Sequence, residues 1–303
     1  MKGMKLSKLA YEQFNRTIIQ PKYSEYINDI AVGLVGEGSE CFKYDDDFSM
    51  DHDFGVGFCI WLNNENYNIF GKELQEDYDN FIKSHTDLPL KITTQYSYKR
   101  DGVFEIKDFF ERILNRPFPT TPLEFRYIPM EKLANCTNGQ IFVDNNQAFT
   151  KLYNYLSKYP RDIRLKKIAK SISIASQAGQ YNYYRMAKRG DIVACNLCLY
   201  KFITNIMETI YLLNDVHMPF YKWAHHGMKD LKILSELKEY IENIYSNEYN
   251  ISQLIEYISS EIIIELRRQN LTDSTDDFLF NHAAIIHEKI NDEYLRYTNI
   301  MED

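Results

Sequence analysis

Ile30-Ala31-Val32-Gly33-Leu34-Val35 runs straight into Gly36-Glu37-Gly38-Ser39, and Asp51-His52-Asp53 then opens a second apolar run, Phe54 to Leu62. Short apolar runs bounded by glycine and polar residues read as buried strands around a turn. In a strand, residues i and i+2 point to the same face. Asp51 and Asp53 would therefore aim two carboxylates at one point, while His52 faces away. Converging carboxylates repel each other unless a cation lies between them, and oxygen ligands of this kind suit Mg²⁺. The Gly38-Ser39 turn supplies backbone N–H groups and a hydroxyl where phosphates bind. Ser39 also reads as a helix N-cap, which is compatible with that role. A strand, a Gly-Ser turn and a strand bearing Asp-x-Asp together meet the needs of metal-dependent phosphoryl transfer. Asp45, Asp46 and Asp47, between the two runs, read as a solvated loop.

Outward from this stretch, residues 5–19 carry an amphipathic helical pattern (Leu6, Leu9, Ala10, Phe14, Ile18), ended by Pro21. Strands are expected near 29–35, 52–62, 91–97 and 103–106, and helices over 72–85 and 108–114. Pro117, Pro119 and Pro122 mark an irregular segment, followed by a short strand over 123–128. Pro129 begins a helix that ends before the turn dipeptide Asn138-Gly139. After residue 146 the strand signal disappears. Helical periods fill 147–158, 161–188, 191–214, 229–247, 250–268 and 278–297. The expected fold is α+β: a mixed sheet with flanking helices over 1–146, then an all-α helical bundle over 147–303.

A chain of 303 residues is long enough for two domains with sizeable cores. Lys+Arg 35 against Asp+Glu 43 gives a net charge of −8, with no dense basic run. That balance makes nucleic acid a poor candidate partner, since such binding relies on cations at phosphates. No run reaches the length of a transmembrane helix and no apolar signal core follows the first residues, so no membrane partner is expected. Five cysteines, an odd number, fit a reducing compartment. The expected location is cytoplasmic.

Gly38-Ser39 followed by Asp51-His52-Asp53 resembles the signature of the DNA polymerase β-like nucleotidyltransferases. The longer string from Gly38 to Gly55 is similar to an uncharacterised bacterial branch of that superfamily carrying a domain of unknown function. Ile128-Pro129-Met130-Glu131-Lys132-Leu133-Ala134, Thr137-Asn138-Gly139, Ala178-Gly179-Gln180-Tyr181-Asn182 and Pro219-Phe220-Tyr221-Lys222-Trp223 extend this likeness over most of the chain. The resemblance implies a nucleotidyltransferase-like sheet that moves a nucleoside monophosphate from a nucleoside triphosphate, with ATP the expected donor, to a hydroxyl acceptor. Mg²⁺ or Mn²⁺ would sit on Asp51 and Asp53, and Gly38 and Ser39 would anchor the outer phosphates. A third carboxylate on a neighbouring strand usually completes the site. Glu105 is the first choice, because an acid in an apolar strand is costly unless used; Glu124 is the rival.

The second half offers further binding candidates. Arg185 and Arg189 lie close to one helical face, and such a face would neutralise a triphosphate or grip an acidic acceptor. Tyr181 stands one turn before Arg185. Lys222, in a segment expected between helices, would reach a phosphate. Tyr181 and Arg189 are assigned to the acceptor and Arg185 and Lys222 to the nucleotide. The competing reading is a solvated basic face at a helix C-terminus. Two alternatives of other classes stand beside transfer: a nucleotide sensor without turnover, and an antitoxin-like protein acting on a partner protein. Cys195-x-x-Cys198 lacks the second pair that a structural zinc site needs.

Overall fold

The apolar runs of the first half hold strands with every residue buried, Ala31–Leu34 and Cys59–Leu62; the strand expected over 52–62 is shorter, since residues 55–58 are not strand. A computed structural model describes residues 2–47, 55–84, 99–246 and 250–303. Asp51, Asp53 and the strand expected over 91–97 lie outside them. The chain divides into two units, Met1–Phe118 with Lys132–Ser157, and Pro119–Glu131 with Lys158–Asp303.

Among the described residues, the first unit is a four-stranded mixed sheet between helices. Its elements in chain order are α1 (Gly3–Phe14), β1 (Ala31–Leu34), α2 (Ser39–Phe42), β2 (Cys59–Leu62), α3 (Lys72–Ser84), β3 (Gly102–Glu105), α4 (Ile106–Leu114), α5 (Met130–Cys136), β4 (Gln140–Val143) and α6 (Ala148–Leu156). Helix α5 begins in the second unit and ends in the first. The strand order is β3-β2-β1-β4; β1 is antiparallel to β2 and β4, and β2 is parallel to β3. Every residue of β2 is buried, which explains its unbroken apolar sequence. On one face Phe58, Ile60 and Leu62 pack with Phe14 of α1 and Leu74, Tyr78 and Phe81 of α3. On the other, Trp61 stacks on Phe149 of α6 at 3.7 Å between ring centres and meets Phe109 of α4 edge-on. Gly33 is required where β1 shifts register against β4: a Cβ there would meet the Gln140 carbonyl and the Trp61 ring.

The second unit is helical: α7 (Arg161–Ala175), α8 (Tyr184–Arg189), α9 (Ile192–Leu213), α10 (Tyr221–Gly227), α11 (Leu237–Asn243), α12 (Ile251–Arg268), α13 (Leu279–Glu288) and α14 (Glu293–Tyr297). Helix α7 supplies its centre, with Ile163, Leu165, Ile168, Ala169, Ile172 and Ala175 all buried. The fold is thus α+β, with a mixed sheet flanked by helices and a helical C-terminal part. Among the described residues no helix is long and apolar enough to cross a membrane.

Several local expectations are corrected. Residues 123–128 are not a strand: Pro122–Tyr127 form a 3₁₀ helix, started by a capping box between Thr121 and Glu124. β4 was not anticipated. The first helix does not stop at Pro21 but reaches Lys22 through a π turn at Asn15–Ile19. The helix expected over 161–188 is interrupted by a wide turn at Ser176–Tyr183, where a Cβ on Gly179 would run into the Phe202 ring. The Pro219 segment, expected to link helices, itself forms α10. Of the helix expected over 229–247 only α11 is regular. The one expected over 278–297 breaks before Asp292, whose carboxylate accepts from the Leu295 N–H at 3.0 Å and caps α14.

Candidate active site at one end of the sheet

Strand direction brings the candidate residues of the first unit to one end. β1 runs out into the Gly-Ser turn, and its Gly33 pairs with Cys59 at the start of antiparallel β2. Cys59 in turn pairs with Gly102 at the start of parallel β3. Leu34 pairs with Gln140 at the start of β4. The Gly-Ser turn, the entry to β2, Asp101 and Asn138-Gly139 therefore share one end of the sheet.

The turn is gripped from β4's approach. The Asn138 amide donates to the Gly36 carbonyl at 2.7 Å, and its oxygen accepts the Gly36 N–H at 3.0 Å. Gly36 has φ +143°, a conformation open to glycine. The Gly139 N–H donates to the Cys41 carbonyl at 2.9 Å, closing the end of α2. Gly139 has φ +74°, and a Cβ there would run into the Leu34 carbonyl. Lys132 of α5 pairs with Glu37 at 2.9 Å. The Thr137-Asn138-Gly139 stretch thus holds the Gly36–Ser39 turn in place. Gly38 is the extended residue before α2, and Ser39 is the first residue of that helix. The Glu40 carboxylate lies against Gly38, where a Cβ would meet it. Asp45 is only partly solvated: one of its oxygens accepts the Gly3 N–H at 2.8 Å, at the start of α1.

Sequence reasoning overlooked Asp101. It precedes β3 and lies against Gly57, whose Cβ would run into its carboxylate. Gly57 belongs to the loop that follows Asp51-His52-Asp53. The buried Tyr78 hydroxyl accepts the Phe58 N–H at 3.1 Å and hydrogen-bonds Asp101. Burial, then the Asp101 charge, pushes the Tyr78 pKa well up, so the phenol stays a donor. Arg100-Asp101-Gly102 reads as an ordinary turn, and its only signal was adjacency to a strand.

Glu105 lies at the opposite end. It pairs in register with Leu62, three residues and about 10 Å along the strand from Gly102. Its carboxylate accepts the Asp108 N–H at 2.7 Å and caps α4. Burial raises its pKa, and the Asp108 hydrogen bond opposes that rise. Glu124 lies in the second unit. Its carboxylate accepts the N–H groups of Thr121 and Thr120, at 2.8 and 2.6 Å, which hold its pKa below the usual range.

The other candidates also lie in the second unit. Arg185 covers the exposed Tyr181 ring, 4.6 Å from its centre. Exposed Arg189 approaches the Met186 sulfur at 3.8 Å. Lys222 lies over Trp223 at 5.5 Å, on the exposed side of α10. The neighbouring Gln180 is structural: it donates to Glu256 and to the Asp277 carbonyl, and accepts the Leu279 N–H. Among the described residues no group of three or more His, Cys, Asp or Glu is placed to hold a metal.

Residues 125–224 match the family model of a domain of unknown function, DUF4037. That segment includes Asn138 and Gly139. No curated protein matches the chain. A crystal structure of a nucleotidyltransferase-like protein from Exiguobacterium sibiricum 255-15 is similar, with 14% identity, a TM-score of 0.34, and coverage of 86% of this chain and 76% of that one.

Proposed function

We propose that the protein transfers a nucleoside monophosphate from a nucleoside triphosphate, ATP being the expected donor, to a hydroxyl acceptor. The reading is supported by one observation: the clamped Gly36–Ser39 turn, the loop leaving Asp-x-Asp and Asp101 share one end of the sheet. Gly38 and Ser39 bind the outer phosphates, and Glu40 must swing away to admit them. Asp51, Asp53 and Asp101 would hold Mg²⁺; three carboxylates fit a hard cation that takes oxygen ligands. When bound, the metal would neutralise the charge that builds on the phosphoryl oxygens. Asp101 takes the third-carboxylate role first assigned to Glu105, because β3 presents it at the same end as the turn. The acceptor oxygen forms a bond to the α-phosphorus, pyrophosphate leaves, and the hydroxyl proton passes to a carboxylate.

The test is pyrophosphate release from each NTP with Mg²⁺ or Mn²⁺, in the presence of a small-molecule cell extract. Asp51→Asn/Asp53→Asn should abolish it, and Asp101→Asn should lower it at least a hundredfold, while Glu105→Gln leaves it within about tenfold. Release that survives in the double variant would sink the reading.

A further inference from the structure

The second unit buries a group of cations that the nucleotidyl-transfer reading does not use. Lys166, Lys167 and Lys170 lie on α7, and Lys166 and Lys167 are only 1% and 7% exposed. Arg126, 9% exposed, stands near Lys166, which feels Arg126 and Lys170 as like charges, and Glu302 and Asp303 as opposite ones. Buried cations of this kind require anions. Glu208 lies close to Lys167 and Lys170, yet burial pushes its own pKa up, which weakens it as a counter-charge.

The main neutralising group comes from the non-helical strap after α14. One Asp303 carboxylate oxygen accepts from Lys170 at 2.6 Å, and the other from Lys167 at 3.3 Å. Lys166 donates to the Asn299 and Thr298 carbonyls at 2.6 and 3.3 Å, fixing the strap's start. Asp303 remains 43% exposed, so the strap covers the cations without sealing them.

Two polar groups in the cluster are left unsatisfied. The Tyr159 hydroxyl is buried with no hydrogen-bond partner among the described residues. Lys167 lies over its ring at 5.4 Å, and it feels the charges of Glu208 and Asp303. Arg126 hydrogen-bonds Tyr294, and its buried Nε and Nη1 have no partner among the described residues; its guanidinium lies 5.1 Å from the Tyr127 and Tyr294 ring centres. A carboxylate offers two oxygens, and the two lysines use both. A phosphate offers more oxygens and more charge, and suits the unused donors.

We propose that Lys167, Lys170 and Tyr159 form a binding site for a phosphate-bearing anion, with Arg126 adding positive charge beside Lys166, and that Asp303 occupies it as an internal stand-in. A phosphate ligand enters by displacing the 299–303 strap. This site is independent of the Gly-Ser turn and does not rest on the transferase reading.

The test uses the full chain and inorganic tripolyphosphate as probe, by titration calorimetry at fixed ionic strength. Glu302→Gln/Asp303→Asn should tighten binding tenfold or more. Adding Lys170→Gln, at a partly exposed position, should reverse that gain; circular dichroism checks folding. EDTA is present throughout, so that no metal loads the proposed Asp51/Asp53 site, and Asp51→Asn/Asp53→Asn is the control that reports any residual binding there. The proposal is overturned if the strap variant binds no tighter than wild type, or if binding follows Asp51 and Asp53 instead of Lys170. ATP in place of tripolyphosphate identifies the source: equal affinity means that phosphate alone is read, tighter binding that a nucleotide is the ligand. ATP losing all affinity while tripolyphosphate keeps it supports a free polyphosphate.

Discussion

The Gly36–Ser39 turn and the Lys166–Lys170 cluster are both held against chain that is distant in sequence, by opposite means. The turn is positioned mainly by neutral groups, an Asn138 amide, glycine backbone and a 2.9 Å amide-to-carbonyl bond, with one partly exposed ion pair, Lys132–Glu37. The cluster is positioned by ions, through Asp303 and the backbone carbonyls on Lys166. Neutral hydrogen bonds contribute about 1 kcal/mol each, and losing one partner leaves a buried group unsatisfied. Buried ion pairs cost about as much to desolvate as they return. The sheet unit should therefore lose stability when its clamp is cut, while the helical unit should tolerate replacement of charge by apolar volume.

The largest expected effect is at Gly139. Gly139→Ala meets both an unfavourable φ and the Leu34 carbonyl, and should destabilise by about 3–5 kcal/mol in urea unfolding. A loss below ~1 kcal/mol would mean that the turn is not clamped from this side. Asn138→Ala removes both bonds to Gly36 and should lower stability by about 2–3 kcal/mol, together with any pyrophosphate release. Lys166→Met should instead fall within about 1 kcal/mol of wild type, or stabilise. A loss as large as that of Asn138→Ala would erase the contrast between the two regions. Lys132→Ala, which breaks a partly exposed pair with Glu37, should cost under ~1 kcal/mol.

The last effect is in pH dependence. Burial, with Arg126 next in weight, lowers the Lys166 pKa to about 8, against about 10.4 unfolded. Between those values the unfolded chain binds more protons, so this residue makes stability rise with pH from about 8 towards 10. Tyr78 and Tyr159, pushed up mainly by burial, have the opposite sign: their contribution is lost as pH rises above the ordinary tyrosine value. Urea midpoints should climb slightly from pH 8 to 10 and then fall. Lys166→Met should flatten the climb and leave the fall.

Much of the sheet unit was legible in the sequence because burial on both faces imposes unbroken apolar runs, as in β1 and β2. Helices α1, α3 and α4 were legible from their periodic apolar faces. β4 escaped notice because Gln140-Ile141-Phe142-Val143 is four residues long and partly exposed, too short to show a period. The 3₁₀ helix at Pro122–Tyr127 was mistaken for a strand because its aromatic residues favour strands, whereas Thr121 and Glu124 set the local backbone by capping. The interruption after α7 had one sign, Gly179, whose reason is the Phe202 ring brought against it by α9.

The sequence by itself determined the α+β division, the Gly-Ser turn and the residue types of the candidate site, since all depend on local pattern and side-chain chemistry. Only the tertiary structure decided which carboxylate shares an end of the sheet with that turn. Asp101 and Glu105 are four residues apart and both carry a carboxyl group, and strand direction alone puts one beside Gly57 and the other at the cap of α4. It likewise decided that Asp303 sits on Lys167 and Lys170. More than a hundred residues separate those partners, and no periodicity in a chain records contacts at that distance, because they follow from packing of whole elements.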